Sequence, residues 1–344
     1  MLARAAAWLD RAAFKPATLP DDLVTGIALT PPVVAGLIFF KFPAFAFLLL
    51  AIGVGAAVQL ASRWIWRHHS PRPAASPIIA AVVGVALIGP GAGLAIAGEV
   101  VVLAVILEVV RARYIPAIRA QAGLLAYAAI ALITRGAPFA YIDPASGRAF
   151  TEPITTWYRF FSPEGASYDP IRLYVGNVPG PVFATSLLAV AIGVAWLAYA
   201  RRVSLIVLLS FLAGAMLASS WWPEIAQGRV AIYGVHWDYV FQLDSGPTWF
   251  VAGLLLADRR LLPGSWAVRP LLGLVAGSLA LGLRHNGGGI EATFLVVAGT
   301  QAVVAAITVA VWGASTGMER WRRTQRLRQR EAYLRPVKPV SRAS

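Results

Sequence analysis

The chain has 344 residues, of which 58% are hydrophobic, and a formal net charge of +14. It contains no cysteine, which excludes disulfides, iron–sulfur ligation and c-type haem attachment to this chain. Apolar stretches use most of the length and leave no room for a separate soluble domain. We therefore attribute the basic charge to membrane orientation and not to nucleic-acid binding.

Ten apolar stretches follow one another along the chain, and each is a candidate transmembrane helix. About 20 apolar residues in a helix cross the hydrocarbon core of a bilayer. The stretches are continuous and do not alternate with polar residues, which excludes a β-barrel. We therefore predict an all-α polytopic membrane protein with about ten transmembrane helices. Their ranges are 23–40, 44–65, 75–88, 91–110, 115–134, 183–200, 203–221, 247–256, 268–283 and 292–313.

Three regions are predicted along the chain. Residues 1–22 form a cytoplasmic N-terminal segment, in which the apolar residues of 1–14 recur at the spacing of a short interfacial helix. Residues 23–313 form the membrane domain, with large outer loops at 137–180 and 221–244. Residues 314–344 form a basic cytoplasmic tail that is expected to lie on anionic lipids.

Arginines mark one side of the predicted membrane domain. They follow the second, fourth, sixth and eighth stretches and recur in the tail, whereas the other connections carry few. By the positive-inside rule both termini are cytoplasmic, in a membrane of the bacterial inner (plasma) membrane type. The arginines of the inner connections are Arg63, Arg67, Arg72, Arg111, Arg113, Arg119, Arg201, Arg202, Arg259, Arg260 and Arg269.

The ten stretches divide into two sets of five, separated by the loop at 137–180. The third stretch of the first set is short and ends at Gly89-Pro90-Gly91, and the third of the second set opens on Ser245-Gly246-Pro247. Short or Gly/Pro-interrupted segments at matching places suggest two inverted five-helix repeats with a site near the midplane. The alternative is that two short helices coincide by chance.

Glu99, Glu108 and Asp258 are carboxylates that lie in or beside the stretches. Glu99 is near the middle of the fourth, where an acid indicates an ion path, contact with a partner subunit or a hydrogen-bonded structural role. Glu108 is half a turn out of phase with Glu99 and is expected to pair with Arg111. Asp258 follows the eighth stretch beside two arginines, where helix termination and snorkelling suffice to explain it. Glu99 and Asp258 are the candidate ion-path residues.

One segment carries a resemblance to a known family. Gly176-Asn177-Val178-Pro179-Gly180, followed by Thr185-Ser186, resembles the Gly-Asn-x-Pro-Gly…Glu-Thr-Ser stretch of the NqrB/RnfD family, although Ala184 replaces the glutamate. These are membrane subunits of sodium-pumping NADH:quinone reductase and of Rnf complexes. Further similar stretches are Tyr114-Ile115-Pro116-Ala117, Ser245-Gly246 with Asp258 and Pro263, and Arg284 with Gly287-Gly288-Gly289, Glu291 and Phe294.

The resemblance implies FMN carried on a threonine of the long outer loop, and a quinone as a further ligand. Asp143-Pro144-Ala145-Ser146-Gly147 matches the first half of the attachment motif, but Arg148-Ala149 stands where Ala-Thr is expected. This degenerate motif argues against covalent attachment. The remaining candidate acceptors are Thr151, Thr155, Thr156 and Ser167. The cofactor-binding residues implied are Thr151, Thr156, Ser167, Asn177, Gly180 and Ser245.

The resulting hypothesis is a membrane subunit of an electron-transfer complex of the flavin or quinone oxidoreductase type, with ion coupling as a family expectation. Other subunits of the complex are its expected partners. The chain has no nucleotide-binding glycine-rich loop, so NADH oxidation would belong to another subunit. Two alternatives remain: a small-solute transporter or channel, and a flavin-less scaffold that anchors a larger complex.

Overall fold

The computed structural model describes residues 19–65, 76–115, 118–149, 170–221, 245–263, 265–284 and 289–311. These residues form helices with two isolated β-bridges and no strands, which confirms the predicted all-α membrane fold. The helices are α1 Asp21–Ile65, α2 Pro77–Ala86, α3 Gly93–Tyr114, α4 Ala122–Ile133, α5 Pro170–Val175, α6 Leu187–Tyr199, α7 Leu205–Trp221, α8 Gly246–Leu256, α9 Val268–Leu283 and α10 Glu291–Val311.

Helix α1 contains the first two predicted spans. Its 45 residues would extend about 68 Å if straight, roughly twice the thickness of the hydrocarbon core. Lys41 interrupts it with a φ of 48° and a ψ of −115°, outside the helical region, and Pro43 follows. The break lies between the two predicted spans, so each half has the length of one crossing. Helices α1, α3 and α10 are long and apolar enough to cross a membrane.

Helices α2 and α8 are the short third helices of the two predicted repeats. Helix α2 has 10 residues and ends before the Gly89-Pro90-Gly91 turn, while α8 starts as a single α-turn at Gly246–Trp249 and continues as a π-helix over Phe250–Leu256. Proline stands in the first turn of each, where a missing N–H costs nothing. The predicted shortness of both helices is confirmed.

The start of each short helix contacts the end of the long helix that follows it in its repeat. In the first half, the Ser76 backbone N–H donates to Glu108 of α3 at 3.2 Å. In the second, the Arg284 guanidinium, directly after α9, donates to the Thr248 hydroxyl at 3.2 Å. The two short helices thus have matching neighbours, which supports the inverted repeat.

Glycines set the closest helix contacts. A Cβ on Gly277 of α9 would collide with the Phe211 carbonyl oxygen of α7, and one on Gly214 of α7 would collide with Leu274. The Ser278 hydroxyl also donates to the Gly214 carbonyl at 2.9 Å. In membranes, small residues let helix backbones approach because the lipid offers no hydrophobic driving force for association. Helices α7 and α9 therefore form a tightly packed pair.

The arginine-rich connections meet at one end of the bundle. Arg119 donates to the Leu262 carbonyl at 2.8 Å, and Arg202 forms an ion pair with Asp21 at the start of α1. The connections before α1 and α4 and after α6 and α8 thus share one end. This is the end that the charge pattern assigns to the cytoplasm.

Candidate functional site between the two halves

The Gly176–Gly180 loop, which carries the family resemblance, folds onto the start of α6. Gly176 has a φ of +96°, and its N–H and that of Asn177 both donate to the Arg172 carbonyl, at 2.8 and 2.9 Å, which ends α5. A Cβ on Gly176 would lie 2.5 Å from Ser186 Cα. Glycine is required here for both reasons, because a side chain would be strained and would displace the start of α6.

Thr185 and Ser186 connect this loop to the second short helix. The Ser186 hydroxyl accepts from the Ala189 N–H at 3.2 Å and caps α6. A Cβ on Gly180 would lie 2.6 Å from Thr185 Cγ2, and one on Gly246 would collide with the Thr185 carbonyl oxygen. Ser245 and Thr185 are both buried. The segment of the resemblance at 176–186 and the one that begins at Ser245-Gly246, separated by about 60 positions in the chain, are thus in direct contact.

The same region holds the end of the first short helix. The Val182 and Phe183 N–H groups donate to the Ile88 and Ala86 carbonyls, at 2.9 and 3.2 Å. These are carbonyls at the C-terminal end of α2, which have no partner within the helix. The C-terminal end of α2 and the N-terminal end of α8 therefore meet at 182–186, and we call residues 176–186 with 245–248 the junction.

Outer-loop residues close over the α2 turn. The Gly89 and Gly91 N–H groups donate to the Pro138 and Ala140 carbonyls, at 2.8 and 2.9 Å. Tyr127 of α4 is fully buried nearby, with its ring 5.7 Å from Phe294 and 6.2 Å from Phe139. Phe294, which the resemblance includes together with Arg284 and Glu291, therefore helps to fix α10 against α4.

Three predicted cofactor-binding residues belong to the junction. Asn177 is half-buried, and Gly180 and Ser245 are buried. Gly180 packs against the Thr185 side chain, and Gly246, which follows Ser245, packs against the Thr185 carbonyl. The predicted hydroxyl acceptors Thr151, Thr155, Thr156 and Ser167 lie outside the described residues.

The partial flavin-attachment motif forms a tight exposed turn. The Asp143 carboxylate accepts from the Ala145 and Ser146 N–H groups at 3.2 Å, and the Ser146 hydroxyl donates to it at 2.7 Å. Ala149, at the position of the expected threonine, forms an isolated bridge with Ile142 and has no hydroxyl. The described part of the motif therefore does not fit covalent FMN.

The C-terminal end of α8 carries an ion-pair network in which Arg202 and Asp258 are buried. Asp258 accepts from Arg260 at 2.7 Å and from Arg202 at 3.5 Å, while Arg202 also pairs with Asp21 at 2.6 Å. Arg260 donates in addition to the Thr25 hydroxyl at 3.0 Å. Asp258 is only 4% exposed. The expectation that helix termination and snorkelling explain Asp258 is therefore wrong, because the carboxylate joins α1, α6 and α8 inside the protein.

Backbone pairing holds this network in place. The Ser204 N–H donates to the Ala257 carbonyl and the Arg259 N–H donates to the Arg202 carbonyl, each at 2.8 Å. Arg202 is part of the orientation signal in the sequence, and nothing in the sequence marks Thr25. The sequence does not show either contact, because Arg202 bonds to Asp258 and Thr25 bonds to Arg260, and both pairs are more than 50 positions apart.

A small cavity of about 10 Å³ lies beside Asp258, with room for about one water molecule. It is lined by residues of both halves, including Val83 of α2, Leu197 of α6 and Gln121 before α4. The Gln121 backbone N–H donates to Gln301 Oε1 at 2.9 Å, and Gln301 Nε2 donates to the Leu255 carbonyl at 3.1 Å. Asp258 and Gln121 therefore border one cavity, and Gln301 is hydrogen-bonded to Gln121.

Burial raises the pKa of Asp258 from its ordinary 3.8 to about 7, and the charge of Arg202 acts in the opposite direction. Asp258 can thus exchange a proton near neutral pH. This property and the adjoining cavity make it the better placed of the two carboxylates predicted for an ion path.

The carboxylates of α3 face in different directions, as their spacing predicted. Glu108 is buried and forms an ion pair with Arg111 at 2.7 Å, which confirms that interpretation. Glu99 is exposed on the outer surface of the helix. The structure therefore does not bring Glu99 and Asp258 together.

Comparison with known proteins identifies the family. The model of the NQR2, RnfD, RnfE family matches residues 22–309, which include the junction, Arg202, Asp258 and Arg260, and nearly all described helices. The members of this family are membrane subunits of Rnf and Nqr electron-transport complexes. A search of curated proteins finds no match.

Proposed function

The chain belongs to the NQR2, RnfD, RnfE family of membrane subunits, and we propose that it passes electrons between a carrier at its outer face and a partner protein or quinone. The observation that carries this proposal is the junction. Segments that resemble the family meet there although they are far apart in the chain, and they unite the outer ends of both short helices.

In such a complex, the role of this chain is to position the redox carrier. The glycines of the junction let backbone segments approach each other, and the capped start of α6 fixes Thr185 against Gly246. A flavin supplies the redox chemistry when one is bound, and the protein orients it and excludes water. Asn177, Gly180 and Ser245 are the described residues proposed to contact such a carrier.

We propose that no FMN is attached at the Asp143 motif, since Ala149 replaces the acceptor threonine. Intact mass of the purified chain and fluorescence of its denatured gel band test this directly. A mass increase of one FMN less water would require an acceptor elsewhere, and peptide mapping would choose among Thr151, Thr155, Thr156 and Ser167. A peptide modified between 143 and 149 would contradict the proposal.

Ion coupling is a finer part of the proposal, and Asp258 is its candidate residue. It is buried, adjoins a cavity between the halves and changes charge near neutral pH. If electron transfer is coupled to ion movement, the Asp258→Asn variant should retain electron transfer and lose the ion gradient formed by sealed vesicles. Equal gradients in both proteins would remove Asp258 from this role.

The main test is electron transfer by the complex purified from its native membrane in mild detergent. We expect redox-active partner subunits to co-purify and Ser245→Ala to lower quinone-dependent turnover by roughly tenfold, the effect of about 1.4 kcal/mol. The Ser278→Ala variant, which removes a hydroxyl between α7 and α9, is the matched control and should keep full turnover.

A small-solute transporter is the second candidate, favoured by the two short helices and the cavity at Asp258. Purified chain without redox-active partners, together with solute uptake into reconstituted vesicles that Asp258→Asn abolishes, would favour it over electron transfer.

A further inference from the structure

Glu99 lies on the outward surface of α3, within the span. Counting 1.5 Å per residue, it lies about 18 Å along the helix from Arg111, which is in its last turn. A hydrocarbon core of about 30 Å therefore contains Glu99 well below either surface. Its side chain is exposed, and the described residues give it no hydrogen bond or ion pair.

The surroundings of Glu99 on this surface are small or apolar. Ala95 is exposed and Gly98 has open space where a Cβ would stand, whereas Val102 and Ile106 are 49% and 52% exposed. We call these four residues with Glu99 the Glu99 face. Small residues permit a second helix to approach closely, and a polar group on such a surface can bond across the contact.

A carboxylate that faces lipid is unfavourable, and such residues normally have a partner or face a water-filled cavity. The other carboxylate of α3 follows this rule, since Glu108 is buried and paired with Arg111. Glu99 points away from the bundle, so within the described part of the chain the group that would satisfy it is missing. A partner chain can supply that group at this depth.

We propose that the Glu99 face is the docking surface for a transmembrane helix of a partner subunit that presents a lysine or arginine to Glu99. The charge of Glu99 identifies the partner group. A carboxylate in an apolar surface is best stabilised by a basic side chain that lies at the same depth in the membrane. The small residues Ala95 and Gly98 let that helix come near enough for a direct bond. This inference rests on the proposed function, because it requires a membrane complex.

The first experiment is photo-crosslinking in the complex purified from native membranes. Benzoylphenylalanine replaces Val102 on the Glu99 face or, as the matched control, Ile192, which is 51% exposed on α6. We expect position 102 to give an adduct with one co-purifying subunit, mapped to an apolar segment that contains a lysine or arginine. Position 192 should give lipid adducts only.

The second experiment tests the charge. The Glu99→Lys and Glu99→Leu variants should carry roughly tenfold less of that subunit per chain, and Glu99→Gln an intermediate amount. Changing the partner's basic residue to glutamate should restore association with Glu99→Lys. Rescue of this kind would not follow from misfolding of the variant chain.

Three results would overturn the proposal. Lipid adducts alone at position 102, in a complex that still contains its partners, would show that the Glu99 face meets lipid and would leave the proposed function intact. An adduct of two copies of this chain would assign the face to self-association. Full retention of the partner by Glu99→Leu would show that the carboxylate is not needed. Absence of any partner from the wild-type preparation would instead contradict the proposed function.

Discussion

Arg202 and Asp258 show how a few residues at one end of the bundle can join its two halves. A buried charge is tolerated when it is paired and hydrogen-bonded, and each member of this network has at least one such contact. Removal of one arginine leaves the buried Asp258 carboxylate with fewer compensating contacts. The network is therefore expected to be more sensitive to single substitutions than any exposed arginine.

Arg202→Gln should destabilise the protein by about 1–3 kcal/mol at pH 8, because it removes hydrogen bonds to charged groups although Arg260 still pairs with Asp258. The measurement is unfolding in detergent micelles by a denaturant series. Arg148→Gln, at an exposed turn, is the control and should change the free energy of unfolding by less than about 0.5 kcal/mol. Equal effects of the two substitutions would show that the Arg202 pairs contribute nothing.

Asp258 gives stability a dependence on pH. Its pKa is about 7 in the folded protein against an ordinary 3.8, so between these values the folded state binds more protons than the unfolded state. Stability must then fall as pH rises from about 4 to 7 and level off above, because each unit of pKa difference corresponds to about 1.4 kcal/mol. Asp258→Asn should flatten the profile measured by thermal unfolding, and Asp143→Asn should not. An unchanged slope in Asp258→Asn would contradict the assignment.

At the scale of the helix, the hydropathy pattern predicted where the elements lie but not which way their side chains point. All ten predicted spans coincide with helices or helix halves, and the Gly/Pro turns located both short helices. Helix α3 is apolar on all sides, so it has no polar stripe to separate its packed face from its outer face. Only tertiary packing could show that Glu108 turns inward and Glu99 outward.

The α7–α9 contact is very sensitive to an increase in side-chain volume. Gly277→Ala would place a methyl group against the Phe211 carbonyl and force the backbones apart, with an expected cost of about 1–3 kcal/mol. Gly299→Ala in α10 is the matched control, since a Cβ there meets nothing within 4 Å, and it should be neutral or slightly stabilising. The comparison uses thermal unfolding in the same detergent. A Gly277→Ala protein as stable as the control would show that α7 and α9 can move apart at little cost in stability.

At the scale of the whole molecule, the sequence could not predict the contacts between distant segments. The resemblance pointed to the loop at 176–180 and to Ser245, but their meeting at Thr185 is a property of the folded chain. The sequence shows the charge of Arg202, which contributes to the orientation signal, but it does not show the ion-pair partners Asp21 and Asp258. The orientation signal and the ion-pair network are compatible, since both require these arginines at the same end.

The end-to-end distribution of charge predicts the membrane orientation, which cysteine labelling can test because the native chain has no cysteine. Helix α4 runs from the arginine-rich end, where Arg119 contacts Leu262, to the turn at 143–149. If the arginines are cytoplasmic, that exposed turn faces outward. An impermeant maleimide should therefore label Ser146→Cys in intact cells and Ser344→Cys only after lysis. The reverse pattern would invert the topology, and would move the junction and any carrier bound there to the cytoplasmic side.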